Sequence, residues 1–162
     1  MRDLVAAIVA IVLLLVAASL ATTLRAYRRR RQRARESERA RGRTIIAELP
    51  TADELVLVSQ DDRRFYYGDR GIDKDLIVAV RVLINGSPIA AYVSKRGATA
   101  PLHVTTFDDR PEGIARDRWD VAVETAAGTT LIECGAIRER VSQELARTVF
   151  DAIKADLEER DR

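Results

Sequence analysis

Residues 4–24 form an uninterrupted run of 21 residues without a charged side chain. Most of them are Ala, Val, Ile or Leu, a composition too uniformly apolar for an ordinary helix of a soluble protein. At a rise of about 1.5 Å per residue, a helix of this length spans about 30 Å, which is the hydrocarbon thickness of a bilayer. We therefore interpret residues 1–24 as a single transmembrane helix.

The charges beside this run predict its orientation. Only Arg2 and Asp3 precede it, whereas ten arginines follow between Arg25 and Arg43. Arginines beside a membrane span stay on the cytoplasmic side. We expect a single-pass protein of the cell (inner) membrane, with its N-terminus outside and its C-terminal domain in the cytoplasm. The alternative is a cleaved signal peptide ending near Ser19-Leu20-Ala21, which would make the domain a secreted one.

Residues 25–43 are predicted to continue the helix as an arginine-rich stalk, because Arg, Ala, Glu and Gln are good helix formers. Arginines at a membrane surface attract anionic lipid headgroups, each with about 1 kcal/mol. The alternative is that they serve only as the topology signal. RNA binding is disfavoured, because aromatic residues are not interleaved with the arginines beyond Tyr27. The candidate headgroup contacts are Arg25, Arg28, Arg29, Arg30, Arg31, Arg33 and Arg35.

Charge is divided unevenly along the chain. Residues 1–43 carry eleven arginines and three acids, a net charge of +8, whereas residues 44–162 carry sixteen basic and 22 acidic residues, a net charge of −6. The second part is therefore acidic and would repel a phosphate backbone, so no nucleic-acid partner is expected. The single cysteine, Cys134, excludes a disulfide within the chain.

Residues 44–162 read as a soluble domain of short β-type runs separated by turn residues. The strongest turn signal is Asn85-Gly86, which favours a two-residue hairpin. Asp61-Asp62 and Ala126-Ala127-Gly128 separate two further pairs of runs. The seven predicted strands are Leu55–Ser59, Arg63–Tyr67, Leu76–Ile84, Ile89–Ser94, Leu102–Thr106, Trp119–Glu124 and Thr129–Cys134.

Each hairpin makes a prediction about which side chains share a face, because strand side chains alternate. Around Asn85-Gly86, we expect the pairs Val82–Ile89, Val80–Ala91 and Val78–Val93 on one apolar face. Around Asp61-Asp62, we expect Val58–Phe65 and Val56–Tyr67. Around Ala127-Gly128, we expect Val123–Ile132 and Val121–Cys134, with Asp120 and Glu124 facing water.

The C-terminus has a different period. Apolar residues recur every four positions with charged residues between them, which predicts an amphipathic helix over residues 136–159. Gly135 supplies the bend between strand and helix. The apolar positions are Ile137, Val141, Leu145, Val149, Ile153 and Leu157.

Seven antiparallel strands followed by one long helix make an α+β domain whose order resembles the pleckstrin-homology-like fold of bacterial membrane proteins. The resemblance implies a barrel or sandwich of two bent sheets, closed at one end by the C-terminal helix. Trp119 departs from the eukaryotic pattern, in which a Trp lies in that helix. The first hairpin pairs Asp61-Asp62 with Arg63-Arg64, so phosphoinositide binding is not supported. The alternative is another α+β fold with an open sheet and one packed helix.

The sequence predicts no catalytic, metal or cofactor site. His103 is the single histidine, and Cys134 reads as a small core residue. Asp69, Asp73 and Asp75 lack the spacing of a calcium loop. The polar loop 108–113 reads as a solvated connection. No catalytic sequence motif is present, so we expect a protein that is not an enzyme.

We therefore expect a membrane-anchored scaffold or assembly module whose domain binds another membrane or cytoplasmic protein. Leu55, Leu57 and Tyr66 fall on one strand face and form the predicted interaction surface. Two alternatives are open. One is a ligand-binding domain or enzyme that uses the Asp-rich loops 69–75 and 108–112, and the other is a sensor of anionic lipid acting through the arginine stalk.

Overall fold

The structure, a computed structural model, describes residues 2–50, 55–95, 118–136 and 138–162. The first element is one continuous helix, α1 (Arg2–Ala40), of 39 residues. It includes both the apolar run and most of the arginine stalk, as the sequence predicts. Gly42 follows with a positive φ of 74°, a conformation that glycine adopts without strain and that ends the helix.

The apolar half of α1 has a strongly hydrophobic surface. Large apolar side chains between Ile11 and Leu24 are 50–70% exposed, including Leu14 at 70%. Among the described residues, α1 is the one helix long and apolar enough to cross a membrane, and the same length and composition also fit a signal sequence. Water is a poor environment for such a surface, so the helix requires a bilayer or another apolar cover.

The remaining unit, Gly42–Arg162, contains two four-stranded antiparallel sheets and a second helix. The first sheet has the spatial order β1 (Thr44–Pro50), β2 (Leu55–Gln60), β3 (Arg64–Tyr67) and β4 (Arg70–Asp73). The second sheet has the order β6 (Ser87–Val93), β5 (Ile77–Ile84), β7 (Arg118–Thr125) and β8 (Gly128–Ala136). A 3-10 turn (Lys74–Leu76) joins the sheets, and α2 (Arg140–Arg160) ends the fold.

The described residues therefore contain eight strands in two open sheets, where the sequence predicted seven. Six predicted strands are confirmed with shifted ends, and the predicted strand Leu102–Thr106 lies outside the described residues. β1 and β4 are additional. β1 follows the glycine that ends α1, and its sequence TIIAELP does not alternate strictly between apolar and polar residues. β4 is only four residues long and contains Gly71. Neither strand therefore has a strong alternating pattern.

One hydrophobic core draws side chains from both sheets and from α2. The helix packs against β1, β5, β7 and β8. Phe65, Ile132 and Leu157 are each at most 2% exposed, and burying a side chain of this size contributes about 1.5–3 kcal/mol. The buried helix positions are Ser142, Ala146, Val149, Phe150, Ile153 and Leu157.

Two hairpins have a register that differs from the predicted one by two residues. Val58 pairs with Tyr67 rather than with Phe65, and Val121 pairs with Ile132 rather than with Cys134. A shift of two residues keeps every side chain on its predicted face, because strand side chains alternate with period two. The predicted core faces are therefore right although the pairs are wrong.

The hairpin β5–β6 differs from the prediction in a more consequential way. Ile84 pairs with Ser87 and Leu83 with Pro88, as a two-residue turn requires, but an irregularity then lets Val82 pair with Ala90. Such a bulge adds one residue to β6 and reverses its alternation. Val80 therefore pairs with Tyr92 instead of Ala91. Tyr92 now packs against the core, and the predicted inward face of β6 is wrong.

Helix α2 begins at Arg140, four residues later than predicted. Val141 is 60% exposed, so the first turn of the predicted apolar stripe does not reach the core. Gly135 makes the expected bend with a φ of +113°. A Cβ atom at this position would lie 2.5 Å from Ser142 Oγ, so glycine is required both by the backbone and by the close approach of α2.

Candidate functional site

The loop between β2 and β3 is organised by Asp61. Its Oδ1 accepts hydrogen bonds from the backbone N–H groups of Arg63 at 2.8 Å and Arg64 at 2.7 Å, and its Oδ2 accepts one from the Tyr66 hydroxyl at 2.7 Å. These bonds, that from Tyr66 foremost, hold the pKa of the Asp61 carboxyl below its ordinary value. The Arg43 guanidinium lies 3.5 Å from the Tyr66 ring centroid, a cation–π contact.

An open depression lies beside this loop. Its lining includes Asp61, Arg63, Arg64, Tyr66, Asp73, Asp75 and Leu76. Arg64 forms an ion pair with Asp73, and that pairing raises the pKa of the Arg64 guanidinium. Arg64 and Asp73 thus pair with each other, and Asp61 is engaged by donors of its own loop, which favours a structural role for these three residues.

The predicted Asp-rich loops are only partly described. Asp73 is paired with Arg64, and the side chain of Asp75 is 93% exposed and 3.7 Å from Arg160. Within the described ranges, no group of three or more His, Cys, Asp or Glu residues could hold a metal ion. His103 and the loop 108–113 lie outside the described residues.

The predicted interaction surface is brought together only in part. Ser59 pairs with Tyr66, and Leu55 and Leu57 alternate with it along β2, so these side chains share the face of the first sheet that points away from the core. Leu55 and Tyr66 are half-buried, but Leu57 is only 7% exposed. Leu57 therefore offers little surface to a partner.

The predicted lipid-contacting arginines all lie on α1. Arg25, Arg28, Arg29, Arg30, Arg31 and Arg33 are exposed, whereas Arg35 is half-buried. Because α1 is one continuous helix, these arginines lie on the same helix as the apolar segment and directly C-terminal to it. A bilayer around that segment would bring the first of them to headgroup level.

The second sheet has a charged face opposite its core face. Asp120 is 4% exposed and Glu124 is 9% exposed, so the prediction that both face water is wrong. Both carboxylates form ion pairs with arginines, Glu124 with Arg81 of the neighbouring β5 and Asp120 with Arg118 of its own strand. Arg81 Nε lies 2.7 Å from Glu124 Oε1, and Arg118 lies 2.9 Å from Asp120 and 2.8 Å from Glu133.

Pairing is incomplete at Asp120. Its Oδ2 accepts from Arg118 Nε, but its buried Oδ1 has no hydrogen-bond partner in the structure as described. Burial therefore raises the pKa of the Asp120 carboxyl above its ordinary value, although Arg118 acts in the opposite direction. The ionised form of Asp120 is the costly one in the folded protein.

The end of β6 is fixed to the end of α2. Asp161 accepts hydrogen bonds from Ser94 Oγ at 2.7 Å, from Tyr92 OH at 3.0 Å and from the Lys95 backbone N–H at 3.0 Å. These donors, Ser94 first, lower the pKa of the Asp161 carboxyl. The contacts hold the last residues of β6 in an extended, well-defined position.

The four sheet edges differ in how well they are protected. β1 and β8 contact each other, so the two sheets meet along that side. β4 has four residues and carries Arg70 and Asp73. Short, charged edges discourage pairing with another chain. β6 has seven residues without a charge, and six of the seven are exposed, including Ile89 at 55% and Val93 at 37%.

The hydrogen-bonding groups of the β6 backbone that do not bond to β5 also have a defined direction. Ser94 N–H donates to Val78 O at 2.9 Å, and the register continues with Val93 opposite Ala79 and Tyr92 opposite Val80. Antiparallel partners alternate between bonded and non-bonded pairs. Ser94, Tyr92 and Ala90 therefore bond to β5, while the N–H and C=O groups of Ala91 and Val93 point away from it.

The sequence does not predict this edge, because it arises from the pairing of β5 with β7, and the bulge also reversed the predicted face of β6. One signal was present: the stretch Ser87–Val93 lacks any charged residue in a domain rich in charge. Cys134 behaves as predicted. It is 2% exposed, and burial raises the pKa of its thiol to about 12, so it is an unreactive core residue.

Family models, curated proteins and solved structures contain no match to this chain. Among the edge strands of the described residues, β6 is the one that carries no charge, and it combines exposed apolar side chains with outward-pointing backbone groups.

Proposed function

We propose that this chain is a single-pass membrane protein whose cytoplasmic domain is a protein-interaction module, and that the domain binds its partner by strand addition at β6. The observation that carries the proposal is the long, uncharged and exposed edge of β6. In strand addition, main-chain hydrogen bonds provide affinity, and pockets for alternate side chains provide specificity.

The membrane part of the proposal rests on α1. Its exposed apolar side chains favour a bilayer, and the arginines that follow favour the cytoplasm for the domain. A reporter fused after Arg162 tests this orientation. A reporter that is active only in the cytoplasm is expected. A reporter active only outside the membrane would contradict the orientation and would favour a signal sequence or the reverse topology.

The pleckstrin-homology-like assignment is part of the same proposal. Two packed antiparallel sheets with a C-terminal helix support it. The order of the second sheet, β6-β5-β7-β8, is a departure from a simple meander, because β5 lies between strands that follow it in the chain. An experimental structure of the complete domain tests whether the sheets close as such a barrel.

The strand-addition step is tested by a pair of proline variants. Ala91→Pro removes an N–H that points away from β5, so the fold should be retained while the edge is blocked. Ala90→Pro removes an N–H that bonds to β5 and should lower the midpoint of thermal unfolding. Chemical crosslinking of the full chain in native membranes should yield adducts with protein that Ala91→Pro loses.

Two results would contradict strand addition. One is a wild-type chain that gives no protein adduct in native membranes. The other is an Ala91→Pro variant that keeps its thermal unfolding midpoint and the full adduct yield. A change of Thr129→Pro on β8 serves as an additional control, because it alters an edge of the same sheet without touching β6.

A second function is favoured by the position of the arginines on α1. We propose that Arg25, Arg28, Arg29, Arg30, Arg31, Arg33 and Arg35 bind anionic headgroups beside the span. Full-length protein reconstituted with a limiting amount of anionic lipid should enrich that lipid around itself, and the enrichment should fall between low and high salt. Enrichment that is independent of salt would contradict an electrostatic mechanism. An Arg28→Gln/Arg29→Gln variant should show reduced enrichment.

A further inference from the structure

The backbone groups, side chains and lack of charge along β6 indicate what kind of partner this edge binds. We infer that it is a second copy of this chain, added antiparallel so that the two β6 strands join two second sheets across a two-fold axis. This inference rests on the proposed function, because it names the partner of the same edge.

The outward backbone groups of β6 are spaced for self-pairing. The groups of Ala91 and Val93 point outward, and Tyr92 lies between them. If Ala91 faces Val93 of the second copy, then Val93 also faces Ala91 of that copy, and the axis passes beside Tyr92. Each such pair exchanges two N–H···O bonds, so this register forms four hydrogen bonds from two residues per chain.

Side chains agree with this register. Tyr92 would form a non-hydrogen-bonded pair with Tyr92 of the second copy, and such pairs bring side chains closest together. Aromatic cross-strand pairs contribute favourably to sheet stability. Tyr92 is half-buried and is held by its hydroxyl to Asp161 at 3.0 Å, so its ring is already positioned. Ala91 and Val93 are exposed on the other face.

The charge distribution explains why a like copy is acceptable here. Residues 44–162 carry a net charge of −6, so two domains repel each other over most approaches. β6 presents no charge to its copy along Ser87–Val93. Anchoring both copies in one membrane also raises their effective concentration, which favours association through a short interface.

The register gives a sharp crosslinking experiment. Ala91→Cys and Val93→Cys are prepared as two differently tagged full-length chains and reconstituted together or separately in phosphatidylcholine vesicles, then treated with a mild oxidant. Ala91 and Val93 of facing copies would lie about 5.5 Å apart between Cα atoms, within disulfide reach. Two Ala91 positions would lie roughly 9 Å apart, beyond that reach.

The mixed sample should therefore form several-fold more disulfide-linked dimer than either variant alone. Thr129→Cys, exposed on the other edge of the second sheet, is the control for random collisions. The native Cys134 is buried with a thiol pKa of about 12 and does not contribute. Ala91→Pro, which removes two of the four bonds, should reduce the association constant about ten- to hundredfold in the wild-type background.

Equal crosslinking of the mixed and separate samples, or equal crosslinking of Thr129→Cys, would overturn the two-fold register. Failure of self-pairing is distinguishable from failure of the edge itself. If the mixed sample forms no dimer while Ala91→Pro still abolishes crosslinking to a different protein in native membranes, the edge binds another protein and self-association is wrong. If Ala91→Pro changes neither the formation of the dimer nor the crosslinking to a different protein, both proposals fail.

Discussion

The two faces of the second sheet are built from the same strands, yet they are buried by different means. On the core face, Val121, Val123 and Ile132 pack against the first sheet and α2. On the opposite face, the residues that alternate with these core residues along the strands are charged. They form the ion pairs Arg81–Glu124 and Arg118–Asp120. Strand β7 is therefore buried on both sides, with six of its eight residues buried.

The two faces should respond differently to substitution. An apolar face loses burial and leaves a cavity when a side chain is shortened. A face of paired charges gives little net stability when intact, because desolvation offsets attraction, but it is costly when one partner is removed. Side chains of adjacent residues in a strand lie on opposite faces of the sheet. Substitutions at adjacent residues should therefore change the free energy of unfolding by different amounts.

The largest effect is expected for Ile132→Ala. Ile132 is 2% exposed, and truncation of a buried Ile to Ala costs about 2–5 kcal/mol. Leu131→Ala is the matched control, because Leu131 is adjacent, lies on the other face and is 43% exposed, so its truncation should cost about 1 kcal/mol or less. Denaturant unfolding of both variants measures the difference. Equal costs would show that the faces are not distinct.

An intermediate effect is expected for Glu124→Gln. Arg81 Nε is close to Glu124 Oε1 at 2.7 Å but has no aligned hydrogen bond, so the interaction is mainly one of charge. Neutralising Glu124 leaves a mostly buried cation unpaired, which should cost about 1–3 kcal/mol. The double variant Arg81→Met/Glu124→Leu should recover most of this loss. A double variant that is less stable than Glu124→Gln would show that the intact ion pair itself stabilises this face of the sheet.

How much of this fold was predictable follows from which interactions are local. α1 was predicted along nearly its whole length, since an uncharged run followed by helix-forming residues needs no tertiary partner. The hairpin faces of β2–β3 and β7–β8 were also right, because a two-residue shift in register preserves alternation. The predicted start of α2 was wrong because β8 extends to Ala136, which pairs with Arg118, a cross-strand contact that the helical period cannot show.

The candidate site was less predictable. A single bulged residue in β6 reversed its faces, and no local signal marks that bulge. Which strand lies at an edge depends on β5 pairing with β7, two strands far apart in the chain. Asp120 and Glu124 were predicted to face solvent, because alternation cannot show that they form ion pairs with arginines in the folded sheet.

The smallest effect is a difference in pH dependence between Asp120 and Asp161. Burial raises the pKa of Asp120, so the folded protein holds that proton more tightly than the unfolded chain, and this contribution to stability falls as pH rises above about 4. The pKa of Asp161 is lowered, so its contribution is present above about 4 and is lost as pH falls further.

Asparagine variants of the two residues should therefore have opposite slopes. Relative to the wild type, Asp120→Asn should gain stability between pH 4 and pH 7 (about the range in which an ordinary carboxyl has ionised), because the costly ionised form is removed. Relative to the wild type, Asp161→Asn should lose stability as pH rises towards about 4, and the difference should stay constant above it, because Ser94, Tyr92 and Lys95 lose an anionic acceptor. Denaturant unfolding midpoints at several pH values measure both slopes. Slopes of the same sign would show that the carboxylate on the charged face of the second sheet is as well satisfied as the one at the end of α2.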